Sequence, residues 1–233
     1  MIYSGFERSQ FDNCVYFKKK SGTSNVYFLL YVNDMLLASC DKVVIKDLKK
    51  QLKGKFEISD LGLAQRMLGM EISRDREMKT LKLTQKEYVN KILERFGMSQ
   101  VKPISTPLAQ HFKMIADNSP KTKEEVKYMK EIPYASVVGS IMYAMVCSRP
   151  DLAYVTSMIS RFMSNPGREC WSVVKWVLMY LKGSIDVGIL CGDGVIGKLG
   201  VAEGYVDFDY AGSVDTRRSL IGYVFTLFDG TIS

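Results

Sequence analysis

Lys42, Lys46, Lys49, Lys50 and Lys53 recur on one side of a stretch whose other side carries Val44, Ile45, Leu48 and Leu52. Ammonium groups in such a row can hold the phosphates of a nucleic-acid backbone, and a solvated helix surface has the same pattern. The excess of positive charge lies in the same half of the chain: residues 1–130 carry 24 Lys and Arg against 15 Asp and Glu, while 131–233 carry 8 against 10. A basic front half suits phosphate contact, and an ordinary solvated surface also produces it. Just upstream, Tyr31-Val32-Asn33-Asp34 places an amide beside a carboxylate between two apolar runs.

Other chemistries are poorly served. Cys14, Cys40, Cys147, Cys170 and Cys191 are odd in number and widely spaced, without a CxxC pair, which fits free thiols in a reducing compartment better than disulfides or zinc. His111 is the single histidine, and it falls in a loop-like stretch between Pro107 and Pro120, a poor place for the base of a nucleophilic triad. No signal-peptide pattern follows Met1. The longest apolar run, Val137–Cys147, is interrupted by Gly139-Ser140 and is too short to span a bilayer. The expectation is an intracellular protein, cytoplasmic or nuclear, with no membrane partner.

The elements that must position these residues follow from periodicity. Cys14–Lys18, Val26–Tyr31 and Met35–Ser39 are β-branched and aromatic and predict three antiparallel strands, with Asn33-Asp34 at the tight turn before the third. Asp41 is placed to cap a helix that Gly54 ends. Phe56–Ile58, Met67–Ile72 and Thr80–Leu83 read as further short strands. Thr84-Gln85-Lys86-Glu87 has capping-box spacing and opens an amphipathic helix that stops at Gly97. Val101–Pro107 and the polar residues up to Lys121 predict a linker. Tyr134–Val146 is apolar nearly all round and predicts a buried helix; Asp151–Met163 and the face Trp171, Val174, Leu178 and Leu181 predict two more. Val187–Cys191, Lys198–Asp207 and Leu220–Leu227 close the chain as strands.

Eight groups of residues occurring in order carry a family likeness: Tyr31-Val32-Asn33-Asp34; Asp60-Leu61-Gly62; Leu68-Gly69-Met70-Glu71-Ile72; Thr84-Gln85-Lys86-Glu87-Tyr88; Ser105-Thr106-Pro107-Leu108; Tyr134-Ala135-Ser136-Val137-Val138-Gly139-Ser140-Ile141-Met142-Tyr143; Arg149-Pro150-Asp151-Leu152-Ala153; and Gly204-Tyr205-Val206-Asp207-Phe208-Asp209-Tyr210-Ala211-Gly212. In this order and spacing the chain resembles part of the Pol polyprotein of copia-type LTR retrotransposons. The resemblance implies an α+β fold: a partial reverse-transcriptase palm and start of thumb over 1–108, a helical thumb/connection-like region over 109–185, and the first strands of a truncated RNase H-like sheet over 186–233.

It also implies chemistry. In that family a Tyr-Val-Asp-Asp tip and a third, upstream aspartate hold two Mg²⁺ ions for nucleotidyl transfer, because a hard cation needs carboxylate oxygens at about 2.1 Å. Tyr31 and Asp34 match that tip; Asn33 stands where the first aspartate would be. An amide can ligate a metal but brings no negative charge, so the change costs on the order of a thousandfold in rate. Asp12, upstream, reads as part of a surface turn. Asp207 matches the first metal-binding aspartate of the RNase H domain, while Asp209 reads as a surface residue. The resemblance therefore implies Asp34 and Asp207 as metal ligands, Mg²⁺ as a weakly held cofactor, Tyr31, Lys46, Lys49 and Lys50 as contacts to an RNA/DNA primer–template duplex, and self-association or a complementing Pol chain as further partners. The expected function is a reverse-transcriptase fragment without turnover. A non-catalytic nucleic-acid-binding remnant using the basic N-terminal half is the alternative.

Overall fold

The computed structural model describes residues 5–19, 25–112, 114–115, 119–192, 201–208, 210–211, 217, 219, 221–227 and 230–231. The chain forms two compact units, Met1–Leu68 and Gly69–Ser233. The first division therefore falls at Leu68, inside the segment that the family resemblance assigns to 1–108.

Strong period-two alternation builds the first unit. Strands β1 (Glu7–Arg8), β2 (Val15–Lys18), β3 (Val26–Tyr31) and β4 (Asp34–Ser39) form an antiparallel meander in sequence order. Val26 and Phe28 point to one face, where with Phe6 and Leu52 they make a small core flanked by Tyr16, Leu30 and Leu37. Phe28 touches Phe6 and Tyr16 with ring centroids 6.2 and 6.1 Å apart. Helix α1 (Lys42–Lys53) covers this face through Val44, Leu48 and Leu52. Asp41 caps it as its sequence position requires, its carboxylate accepting from the Val43 and Val44 amides at 2.9 and 3.4 Å. Phe56–Ile58 is not a strand: the Lys55 and Phe56 amides donate to Leu52 O at the end of α1, which removes them from any ladder, and Ile58 packs against the small core.

The expected strand Met67–Ile72 is interrupted. Strand β5 (Arg66–Met67) and β6 (Met70–Asp75) are separated by Leu68 and Gly69, which both carry positive φ, +53° and +72°. Two consecutive left-handed residues reverse the chain. In the second unit β6 pairs with β7 (Thr80–Thr84), and β7 pairs with β8 (Ile189–Gly192), all antiparallel. Strand β8 thus joins this sheet; among the described residues it has no ladder with the C-terminal strands, although Gly230 approaches Cys191 closely.

Helices α2 (Lys86–Arg95), α3 (Lys123–Lys130), α4 (Tyr134–Cys147), α5 (Ala153–Ser160) and α6 (Arg168–Gly183) share one core. Val137, Val138, Ile141, Leu152, Ile159, Val173, Val174, Leu178 and Leu181 are fully or almost fully excluded from solvent. The segment expected as a linker supplies Met114 to this core and lays Val101, Leu108 and Phe112 against it. Gly183 marks its closest approach, since a Cβ there would lie 2.7 Å from the Ile104 carbonyl oxygen.

Thr84 does not form the expected capping box. It closes β7 opposite Glu71, and Glu71 instead accepts the Glu87 amide at 2.9 Å, so the cap of α2 comes from the neighbouring strand. The capping box of this unit is at Thr122 and Glu125, at the start of α3. Helix α4 also differs from expectation. Ala135, Gly139, Met142, Tyr143 and Val146, spaced as one helical face, are exposed, Val146 by 74%.

The remaining strands, β9 (Ala202–Phe208), β10 (Ile221–Leu227) and β11 (Gly230–Thr231), form a separate antiparallel sheet in the order β11-β10-β9. Asp209 and the residues before Ala202 at 198–200, part of an expected strand, lie outside the described residues.

Candidate metal centre

The hairpin register decides where the tip side chains point. Tyr31 pairs with Asp34, so the two-residue turn is Val32-Asn33, one position earlier than the sequence suggests. Asn33 is the second turn residue and Asp34 the first of β4. Val32 carries the positive φ of this turn, +50°, in a β-branched residue that is 80% exposed. A positive φ at the first central position alone is the pattern of a type II′ turn.

Strand alternation then sorts the sheet into two faces. Phe28, Val26, Leu30 and Leu37 face the small core under α1. The cross-strand pairs Tyr31–Asp34, Leu29–Leu36 and Tyr27–Ala38 share the opposite, open face, with Val15, Phe17 and Glu7 continuing it across β2 and β1. Asp34 therefore stands on the exposed face beside Tyr31, itself 47% exposed. Glu7 shares that face but sits three strand spacings away and four residues along, about 20 Å at the usual strand dimensions, too far to share an ion. Asp12 is used locally: its Oδ1 accepts the Cys14 amide at 2.8 Å, the surface turn that its sequence context indicates.

The lysines are on the other side of this layer. Val44, Leu48 and Leu52 turn α1 toward the core face of the sheet, so Lys46 and Lys50 project from the far side of the helix into solvent. Lys49 donates to Asp60 Oδ1 at 2.7 Å. That hydrogen bond, followed by one from the Gly62 amide, holds the Asp60 carboxyl below the usual carboxylate range. The Tyr31–Asp34 face and the lysine row are thus separated by a sheet and a helix. One flat duplex surface cannot touch both.

In the second unit Asp207 is exposed on β9 and pairs with Gly222 of β10. Among the described residues no three His, Cys, Asp or Glu side chains come together as a metal-binding group. The donor set at the tip, one carboxylate and one amide, falls short of what two divalent ions require.

A buried ionic site that periodicity did not single out lies in the helical core. Arg149 is 1% exposed; its Nε and Nη2 donate to the two carboxylate oxygens of Asp151 at 2.9 and 2.7 Å, and Nη1 donates to Ser184 O at 2.9 Å. The Tyr180 hydroxyl donates to Asp151 Oδ2 at 2.8 Å, and the guanidinium lies 5.3 Å from the centre of the Tyr180 ring. Burial opposes ionisation of Asp151, but the Arg149 and Tyr180 hydrogen bonds outweigh it and keep the carboxyl below its ordinary range. Every partner of this cluster belongs to a helix end or turn, so its work is to join α4, α5 and α6.

Residues 1–110 match the family model described as reverse transcriptase (RNA-dependent DNA polymerase). The whole chain is 45% identical to 18% of the retrovirus-related Pol polyprotein from transposon TNT 1-94 of Nicotiana tabacum, and 96% of it is 31% identical to 14% of the Pol polyprotein from transposon RE2 of Arabidopsis thaliana. An uncharacterised mitochondrial protein of Arabidopsis thaliana is 33% identical over 85% of this chain and 77% of its own length. The chain belongs to the copia-type retrotransposon Pol family and contains part of a reverse-transcriptase domain. It spans under a fifth of the length of the two Pol polyproteins. No solved structure matches it.

Proposed function

We propose that this chain is a reverse-transcriptase fragment that handles primer–template nucleic acid without carrying out nucleotidyl transfer on its own. In this reading residues 1–108 are palm and the start of thumb, 109–185 are thumb/connection-like, and 186–233 contain the opening strands of an RNase H-like sheet, β9 to β11, with Asp207 as its first acidic ligand. The supporting observation is the tip: Asn33 occupies the turn position before Asp34, and Asp34 stands on an open sheet face where, among the described residues, no three His, Cys, Asp or Glu side chains come together. Mg²⁺ held there would activate a primer 3′-oxygen, and one carboxylate holds it weakly. A second Pol chain supplying the remaining carboxylates is the partner that would restore chemistry, in cytoplasm or nucleus.

Primer extension on an RNA template with Mg²⁺ or Mn²⁺ tests this reading. The expected result is no incorporation by this chain or by Asn33→Asp, since one restored carboxylate still leaves the third missing. Incorporation by the unmodified chain that Asp34→Ala abolishes overturns it.

A further inference from the structure

The lysines that the sequence pattern singles out are on α1, but the second unit has a basic surface with a more defined shape. At the start of α3 an open groove of about 400 Å³ is lined by Lys121, Thr122, Lys123, Val126, Lys127 and Lys130. No carboxylate lines it among the described residues. Lys123, Val126, Lys127 and Lys130 are spaced as one helical face, and the three lysines are exposed.

Of the two acidic residues of this helix, Glu124 does not line the groove and Glu125 is occupied by the cap. Glu125 accepts the Lys121 and Thr122 amides through Oε2 at 2.9 and 3.3 Å, closing the capping box, and those two hydrogen bonds hold its carboxyl below the usual range. Lys123, Lys127 and Lys130 have no ion-pair partner among the described residues. Lys123 and Lys127 are like charges at i and i+4, a spacing that weakens a helix by a few tenths of a kcal/mol, whereas Lys127 and Lys130 lie in the last turn, where the helix dipole favours cations.

We infer that this face of α3 binds the phosphate backbone of a nucleic-acid strand, with Lys123, Lys127 and Lys130 as its contacts. Lys123 and Lys130 are seven residues apart, about 10 Å along the helix axis. Over that length one strand of a duplex presents about three phosphates. Among the described residues the lining is four lysines, Thr122 and Val126, a charge pattern that suits phosphates. The inference rests on the reading of this chain as a fragment that handles nucleic acid, and adds to it a contact surface in the second unit.

Fluorescence anisotropy of the full chain with a labelled 20-base-pair RNA·DNA hybrid, from 50 to 200 mM NaCl, tests it. Three proteins are compared with the unmodified chain: Lys123→Gln/Lys127→Gln/Lys130→Gln, the same positions changed to Arg, and Lys46→Gln/Lys49→Gln/Lys50→Gln. The expected result is a loss of affinity of about tenfold or more in the α3 glutamine variant, a salt slope shallower by roughly 2 to 3, and retention of both in the arginine variant. Lys127→Gln alone, with an unchanged thermal midpoint, should shift the slope by roughly 0.7 to 0.9. Hybrid binding by the unmodified chain that the α3 glutamine variant keeps, or that the α1 variant alone loses, overturns the α3 site and leaves the nucleic-acid reading standing. Absence of hybrid binding at 50 mM salt overturns both, and binding of polyglutamate but not hybrid through the same three lysines assigns the groove to an acidic protein and also overturns the inference.

Discussion

The helical core and the C-terminal sheet of the second unit use similar residues to opposite ends. Val137, Ile141, Val174 and Leu178 are wholly enclosed by neighbouring helices. In the sheet, the register puts Ile221, Phe208, Tyr223, Val206 and Phe225 together on one face, and they are 67, 72, 58, 70 and 43% exposed. The other face carries Glu203, Tyr205, Asp207, Val224 and Thr226. Both regions present clustered apolar side chains, but only in the first does a covering layer meet them among the described residues. Apolar content supplies stability when it is enclosed, and a surface for association when it is not.

Substitutions at matched positions sharpen this contrast. The largest effect belongs to Arg149→Ala, which removes a guanidinium that is 1% exposed together with its hydrogen bonds to Asp151 and Ser184 and should cost about 3 to 5 kcal/mol, read as a fall in the urea midpoint. Ile141→Ala should cost about 2 to 5 kcal/mol in the same measurement, because a closed cavity remains in the helical core. A smaller loss appears on acidification. Asp151 has a lowered carboxyl pKa in the folded protein, so its contribution is fully present above the unfolded value of about 3.9 and is lost as pH falls through the lower, folded value. Asp151→Asn should remove that acid sensitivity, and an unchanged pH dependence of the melt below about pH 4 would show that the Arg149 pair does not carry it.

Ile221→Ala, by contrast, should move the midpoint by less than about 0.5 kcal/mol. Its effect belongs to association: Val206→Lys with Tyr223→Lys should reduce self-association in sedimentation velocity. A stability loss for Ile221→Ala as large as that for Ile141→Ala would break the comparison and mean that the sheet face is covered.

The elements most legible in the sequence were those whose partner is local. The β3–β4 hairpin, the Asp41 cap, the extents of α1 and α4 and the helical face of α6 depend on spacing and end signals within a few residues, and all are present. What failed depended on distant partners. The turn shifted to Val32-Asn33 because the ladder extends to Tyr31–Asp34, placing a β-branched residue where propensity would put Gly or Asn. Thr84 lost its capping role to β7, and Phe56 spent its amide on the end of α1. An apolar helix such as α4 declares that it needs cover but not how much of its circumference receives it. The site was legible in part for the same reason: the tip residues are adjacent in sequence, whereas the side of the sheet on which they stand relative to the α1 lysines follows only from burial.

The pairing of β7 with β8 joins Thr80 to Gly192, and α2 packs against α6 in the same unit. On the ribosome, at roughly 5 to 20 residues per second, the edge of β7 stays open for roughly 6 to 22 s before its partner is made. The sheet of the second unit therefore closes late, after α2 can already meet α4. Until then, the apolar side of α2, with Val89, Ile92 and Leu93, is a natural place for a chaperone to hold the nascent chain.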